Sequence, residues 1–266
     1  DVCSSDLNRV PRPGDRGSTG GLAVALQGAM EQRGGLWLGW SGSVAEKAEG
    51  EPAPRLICAG KIDYVTIDLT ERDEEEYYNG FANRALWPLF HHRPGLTEFA
   101  RRDMAGYYRV NQTFARILAP LLVPDDVIWV HDYHFIPLAS ELRALGVKNR
   151  IGFFLHIPWP APELFVILPN HARLAVNLAN YDVIGFQTKR SFENLMSYLR
   201  DELNVENQDG RFEAFGRKVT AGVWPISIDA EEFARFAAAP TSPATRRLKN
   251  SLDGRKLMIS VDRLDY

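Results

Sequence analysis

Cysteine is scarce: Cys3 and Cys58 are the two in 266 residues. Neither has a histidine or a second cysteine at metal-ligand spacing, which argues against a zinc site. One pair in a chain of this size points to reduced thiols and a cytoplasmic setting rather than a disulfide framework. No apolar run approaches the roughly 18 residues that would span a bilayer, and no basic segment followed by an apolar one marks a secretory signal. Charge of one sign is also lacking, with 31 Lys+Arg against 34 Asp+Glu and a net charge of −3. That balance gives no electrostatic case for nucleic acid or an anionic membrane. An anionic ligand must therefore be held by a local basic cluster. There is no G-x-G-x-x-G or Walker pattern and no repeat at solenoid spacing. What remains is an ordinary globular composition, 45% hydrophobic and 24% charged, long enough for one large domain or two smaller ones.

Two segments carry the most information, VIWVHDYHF (127–135) and IGFFLHIPWP (151–160). Each is a short apolar run that stops at polar, ring-bearing or carboxylate side chains, the pattern of a buried strand in a parallel sheet. In open α/β sheets the ligand crevice lies outside the carboxyl ends of such strands. Asp132, His134 and His156 are thus expected where this architecture performs chemistry.

The rest of the chain supports the same class. A Pro-, Gly- and Arg-rich loop (9–20) precedes a helix that Gly34 and Gly35 end. A strand over 36–40 and a charged loop to about Gly60 follow. A second strand then leads to a helix capped by Thr70, with acidic residues in its first turns. A long helix is expected over 103–122. Strands at 127–131, 151–155 and 182–186 then alternate with helices at 137–145, 161–179 and 189–201, which predicts a parallel sheet with right-handed crossovers. A hairpin-like stretch (211–228), a short acidic helix, a polar linker APTSPATRR and the opening of another strand (256–266) complete it. Residues 1–7 lack the Val/Ile-rich strand that usually opens an α/β domain and are expected to be a non-native leader. The domains are then 8–228 and 229–266.

Each motif has a plainer alternative. RVPRPGDRGSTGG (9–21) places basic and glycine residues before a helix start, a phosphate-binding arrangement, yet a surface loop has the same composition. In EYYNGFANRALWPLFHHR (76–93), aromatic faces suited to sugar rings are also what a core needs, and His91 and His92 are as compatible with solvent as with function. Asp132 can accept hydrogen bonds from substrate hydroxyls or take a proton; it can also cap the following helix. His156 stands where the next-but-one Pro158 stops the strand, so its backbone and ring should face the crevice. Arg263, in VDRLDY, can neutralise a diphosphate, a weak signal by itself.

Taken together, NRV…GGLAVAL, GGLWLGWSG, EYYNGFANRALWPLFH, IWVHDYHF, NRIGFFLHIPWP, GFQT and SVDRLDY resemble the trehalose-6-phosphate synthases, retaining glycosyltransferases of the GT-B architecture. The match runs in order from about Asn8 to Tyr266. It implies an α/β fold with an N-terminal Rossmann-like domain and only the first strand of a second. It also implies glucosyl transfer from a nucleotide-glucose, usually UDP-glucose, to glucose 6-phosphate. By position, Arg9, Tyr78 and Trp87 match acceptor-binding residues. Gly21 matches the glycine beside the donor diphosphate, Asp132 and His156 match residues at the donor sugar, and Arg263 matches a diphosphate ligand. No cofactor or metal is implied, because basic groups neutralise the diphosphate. No nucleic-acid or membrane partner is expected, and a homo-oligomer stays open.

The lysine that follows SVDRLDY in the family is not reached, so an acceptor-side piece with negligible activity alone is expected. Two other activities stay open: transfer to glycerol 3-phosphate on the same skeleton, and a non-catalytic sugar-phosphate sensor.

Overall fold

The structure, a computed structural model, describes residues 10, 21–45, 53–227, 230–239 and 241–258. The expected leader (1–7), Arg9, most of the following loop, and Arg263 lie outside those residues. Among the described residues, those up to Ile226 belong to one compact unit and those from Ser227 on to another.

The first unit holds two sheets. Strands β1 (Gly35–Val44), β2 (Arg55–Ala59) and β3 (Ile62–Leu69) form the smaller, in the order β1-β3-β2. β1 and β3 run parallel, and β2 is antiparallel to β3. β2 falls where the sequence was expected to be loop to Gly60. Its side chains are nearly all exposed, so no burial pattern marks it, and pairing with the buried β3 is what makes it a strand.

The larger sheet contains β4 (Val127–His131), β5 (Arg150–Leu155), β6 (Val183–Phe186), β7 (Asn207–Gln208), β8 (Arg211–Ala214) and β9 (Arg217–Val223). Their order is β4-β5-β6-β9-β8-β7. β4, β5 and β6 are mutually parallel, as the strand–helix alternation predicts. β8 and β9 form the antiparallel hairpin expected over 211–228, and β9 joins the sheet parallel to β6, a pairing the sequence did not indicate, while β7 adds to the antiparallel edge. β4 differs from the fully buried strand its apolar run suggests. It is an outer strand that buries Ile128 and Val130, while Val127 and Trp129 are exposed among the described residues.

Two helices set the position of the site. The first, over 71–90, starts at Thr70, whose hydroxyl accepts from the Asp73 N–H. Its central part, Glu74–Leu86, is wound as a π-helix rather than the expected α-helix, a form that tends to mark functional positions. The second, Arg101–Leu118, lies against it. The two approach so closely that a Cβ on Gly80 would stand 2.6 Å from Asp103 Cγ, and one on Gly106 would stand 3.0 Å from Glu76 Oε2 and overlap the Glu76 side chain.

Both acids at this contact are buried and ion-paired. Arg109 Nη2 lies 2.8 Å from Glu76 Oε2, Arg72 Nε lies 2.9 Å from Glu76 Oε1, and Arg84 Nη2 lies 3.4 Å from Asp103 Oδ2. Burial alone would raise the Glu76 carboxyl, but Arg109 and Arg72 outweigh it and hold the group below the usual carboxylate range. Gly106→Ala should therefore destabilise the fold by about 1–3 kcal/mol through overpacking, read as a lower urea midpoint at unchanged m. An unaltered midpoint would show that the helices can separate without cost.

In the second unit, a short helix (Ala230–Ala238) matches expectation. The supposed polar linker instead contains a helix, Pro243–Ser251, capped by Ser242, whose hydroxyl accepts from the Thr245 N–H. Ser followed by Pro at the first helical position is a start signal that the polar composition had obscured.

Candidate active site

The carboxyl ends of β4 and β5 are adjacent, with His131 in register with Phe154. Two hydrogen bonds extend the pairing past the strands. Asp132 N–H donates to the Phe154 carbonyl at 2.8 Å, and the Asp132 carboxylate (Oδ1) accepts from the His156 N–H at 3.2 Å. Asp132 and His156 are thereby brought together, as their places at neighbouring strand ends predict.

Asp132 is buried and adopts φ 68°, ψ 169°, a conformation otherwise almost confined to glycine and costing about 1–3 kcal/mol. The chain after His156 is pinned from the other side. Trp159 N–H donates to Ser191 Oγ at 3.1 Å, and Asn194 donates to the Trp159 carbonyl at 2.9 Å. Trp159 itself packs on Phe90 and Phe165 in the core.

The two imidazoles of HDYH diverge. His131 turns to His156, its Nδ1 lying 2.9 Å from His156 Nε2. His134 does not reach an open crevice, contrary to expectation. It is buried among aromatic rings, stacked on Tyr78 at 5.8 Å and beside Tyr133 at 4.0 Å. Burial pushes His131 down to about 4 and His134 down to about 3. Burial and then the His131 ring bring His156 down to about 3. All three are neutral imidazoles near pH 7.

Tyr78 joins this group through His134 and through Trp40, whose ring centroid is 5.2 Å away. The Tyr133 hydroxyl donates to Asn83 Oδ1 at 2.8 Å, tying the β4 exit to the π-wound helix. Trp87, four residues past Asn83, is half-buried and stacks on His91 at 4.0 Å. Gly21 is the first residue of the helix Gly21–Arg33. Arg9 and Arg263 lie outside the described residues, so the expected convergence of Arg9 on Asp132 and His156 is not described.

Sequence reasoning missed His131 as the neighbour of His156, since the two are 25 positions apart and meet only through strand register. It also missed Trp40 and Tyr133. Among the described residues no group of three or more His, Cys, Asp or Glu is placed to hold a metal ion, and no helix is long and apolar enough to cross a membrane.

Polar groups gathered at the carboxyl ends of parallel strands, beside aromatic rings, mark the crevice in which an open α/β sheet binds its ligand. The model of glycosyltransferase family 20 matches residues 14–266, and the chain belongs to that family. It is 51% identical to the trehalose-6-phosphate synthase of Sinorhizobium fredii, over 97% of this chain and 57% of that protein. Among solved structures, it resembles an α,α-trehalose-phosphate synthase (UDP-forming) from Burkholderia xenovorans in complex with glucose-6-phosphate. That match has a TM-score of 0.85 and 44% identity, covering 97% of this chain and 57% of the other. It also resembles the E. coli trehalose-6-phosphate enzyme bound with UDP-2-fluoro glucose, with a TM-score of 0.82, 42% identity, and coverage of 92% and 53%. The chain thus spans somewhat more than half the length of these relatives, and its fold is that of their N-terminal part.

Proposed function

We propose that this chain is the acceptor-side part of a retaining glucosyltransferase that moves glucose from a nucleotide-glucose to glucose 6-phosphate. The observation that carries the reading is the Asp132–His156 contact at the ends of adjacent parallel strands, with a strained Asp132 backbone. The glucose-6-phosphate and UDP-2-fluoro glucose complexes of its relatives support the two substrates.

In this reading the bond between the anomeric carbon and the diphosphate breaks. A bond to an acceptor hydroxyl forms on the same face, and the hydroxyl proton passes to a diphosphate oxygen. Asp132 and His156 are assigned to the donor sugar, Tyr78 and Trp87 to the acceptor and Gly21 to the donor diphosphate. The roles that the resemblance implies for Arg9 and Arg263 fall on residues outside the described ones. Fixed positive charge and N–H donors aimed at the leaving group supply the stabilisation, so no metal ion is required, and the reaction is assigned to the cytoplasm.

The test is a chimera completed with the part of the S. fredii protein that this chain does not span. Given UDP-, ADP- or GDP-glucose and glucose 6-phosphate, it should form trehalose 6-phosphate with retained configuration, fastest with UDP-glucose. The 266-residue chain by itself should show no turnover. A completed protein that prefers glycerol 3-phosphate, or binds sugar phosphate without turnover, would overturn the reading.

A further inference from the structure

We propose that the π-winding of Glu74–Leu86 turns Tyr78 and Trp87, the two described residues assigned to the acceptor, to one side of their helix. Asn83 is the positioning residue that locks this side to the turn after β4. The acceptor as occupant rests on the function proposed above; the winding does not.

An α-helix completes two and a half turns over the interval from Tyr78 to Trp87, which would set the two rings on opposite sides. Here the Trp87 N–H donates to the Ala82 carbonyl, five residues back instead of four. Closing each turn over one more residue raises its content from about 3.6 residues to about 4.4. The same interval is then close to two whole turns. Glu75 and Arg84 gauge that superposition directly, because they stand at the same spacing and form an ion pair, Arg84 Nη2 lying 2.7 Å from Glu75 Oε1. Tyr78 and Trp87 follow them by three residues each, so they are superposed in the same way.

Asn83 shows which way that side faces. Tyr78 stacks on His134 with the ring planes 13° apart, and the Tyr133 hydroxyl donates to Asn83 Oδ1 at 2.8 Å. Tyr133 and His134 are consecutive, with their rings 4.0 Å apart. In an α-helix positions 78 and 83 would diverge by about 140°; here both meet one short turn. The neighbouring Asp132 does not depend on this bond. Its N–H donates to the Phe154 carbonyl and its carboxylate accepts from the His156 N–H. Releasing Asn83 therefore loosens the acceptor side and leaves the donor side in place.

Scalar couplings across hydrogen bonds, measured by NMR on the deuterated chain, test the winding. The Trp87 N–H should couple to the Ala82 carbonyl; coupling to the Asn83 carbonyl, or to neither, would overturn the proposal. In the completed chimera, Asn83→Ala should raise the KM for glucose 6-phosphate about fivefold to tenfold, the worth of one hydrogen bond. The KM for nucleotide-glucose should stay unchanged. Asn83→Asp, which keeps an oxygen to accept from Tyr133, should recover most of the loss. Tyr133→Phe, which removes one oxygen and keeps the packing, should match Asn83→Ala, and the double variant should lose no more than either alone. An unmoved acceptor KM in both single variants, equal rises for the two substrates, or additive losses would each overturn Asn83 as the lock. A completed protein that transfers no glucose to glucose 6-phosphate would overturn the acceptor assignment together with the functional reading, while the couplings still decide the winding.

Discussion

Asp132→Gly should be more stable than Asp132→Ala by about 1 kcal/mol, the reverse of the usual order. Both variants lose the carboxylate that accepts from His156 N–H, a loss of about 1 kcal/mol. They differ in the backbone. At φ 68°, ψ 169° alanine retains the full strain of about 1–3 kcal/mol, while glycine releases it. Part of the gain is offset by the greater freedom of glycine in the unfolded chain, about 0.4–1 kcal/mol. The glycine variant should thus fall within about 1 kcal/mol of the parent in urea unfolding of this chain.

Activity should not follow stability. In the completed protein both substitutions remove the carboxylate proposed above to hold the reacting sugar, and on that proposal kcat/KM should fall by about 10²–10³-fold, as for loss of one preorganised transition-state contact. An alanine variant more stable than the glycine one would show that the Asp132 backbone carries no strain. A glycine variant with parental kcat/KM would show that the strain serves no transfer reaction.

The contrast explains which parts of this molecule could be read from its residues. β4, β5 and β6 were visible because apolar runs ending in polar residues have few other meanings in an alternating strand–helix chain. Asp132 and His156 followed, since the ends of neighbouring parallel strands must meet. β2 was invisible because its side chains are exposed and its identity comes from pairing. The Pro243–Ser251 helix was hidden by polarity, though Ser242 and Pro243 announced it. The π-winding of Glu74–Leu86 has no period that distinguishes it from an α-helix in so aromatic a segment. Tyr78 and Trp87 were singled out by resemblance; from composition alone each ring was better explained as core, and Tyr78 is in fact buried in the main hydrophobic cluster. The His131–His156 contact and the Asp132 backbone are products of register and tertiary packing, for which a single sequence carries no local signal.

Burial of three neutral imidazoles also predicts how the fold responds to acid. In the unfolded chain His131, His134 and His156 titrate near 6.5; in the native state burial brings them to about 4, 3 and 3. Between those values the unfolded state binds more protons than the native one, so stability rises with pH. Their contribution is complete above about pH 6.5 and is lost as pH falls from there toward 4. Each ring can withdraw up to about 2 kcal/mol between pH 6.5 and 5. Together they can remove about 5 kcal/mol, a large part of a typical folding free energy of roughly 5–15 kcal/mol.

The paired carboxylates act in a separate window. Glu76 and Glu75 are held below the ordinary range by their arginines, so their contribution persists above the unfolded carboxylate value and fails only in more acidic solution. Unfolding free energies measured in urea at pH 7, 6, 5.5 and 5 should fall along a steepening curve. His134→Phe, which keeps a ring among Tyr77, Tyr78 and Tyr133 but cannot titrate, should remove about a third of the slope. A flat profile from pH 7 to 5 would mean that the three rings take up protons without leaving their places, and that the neutral state assigned to His131 and His156 is not imposed by burial.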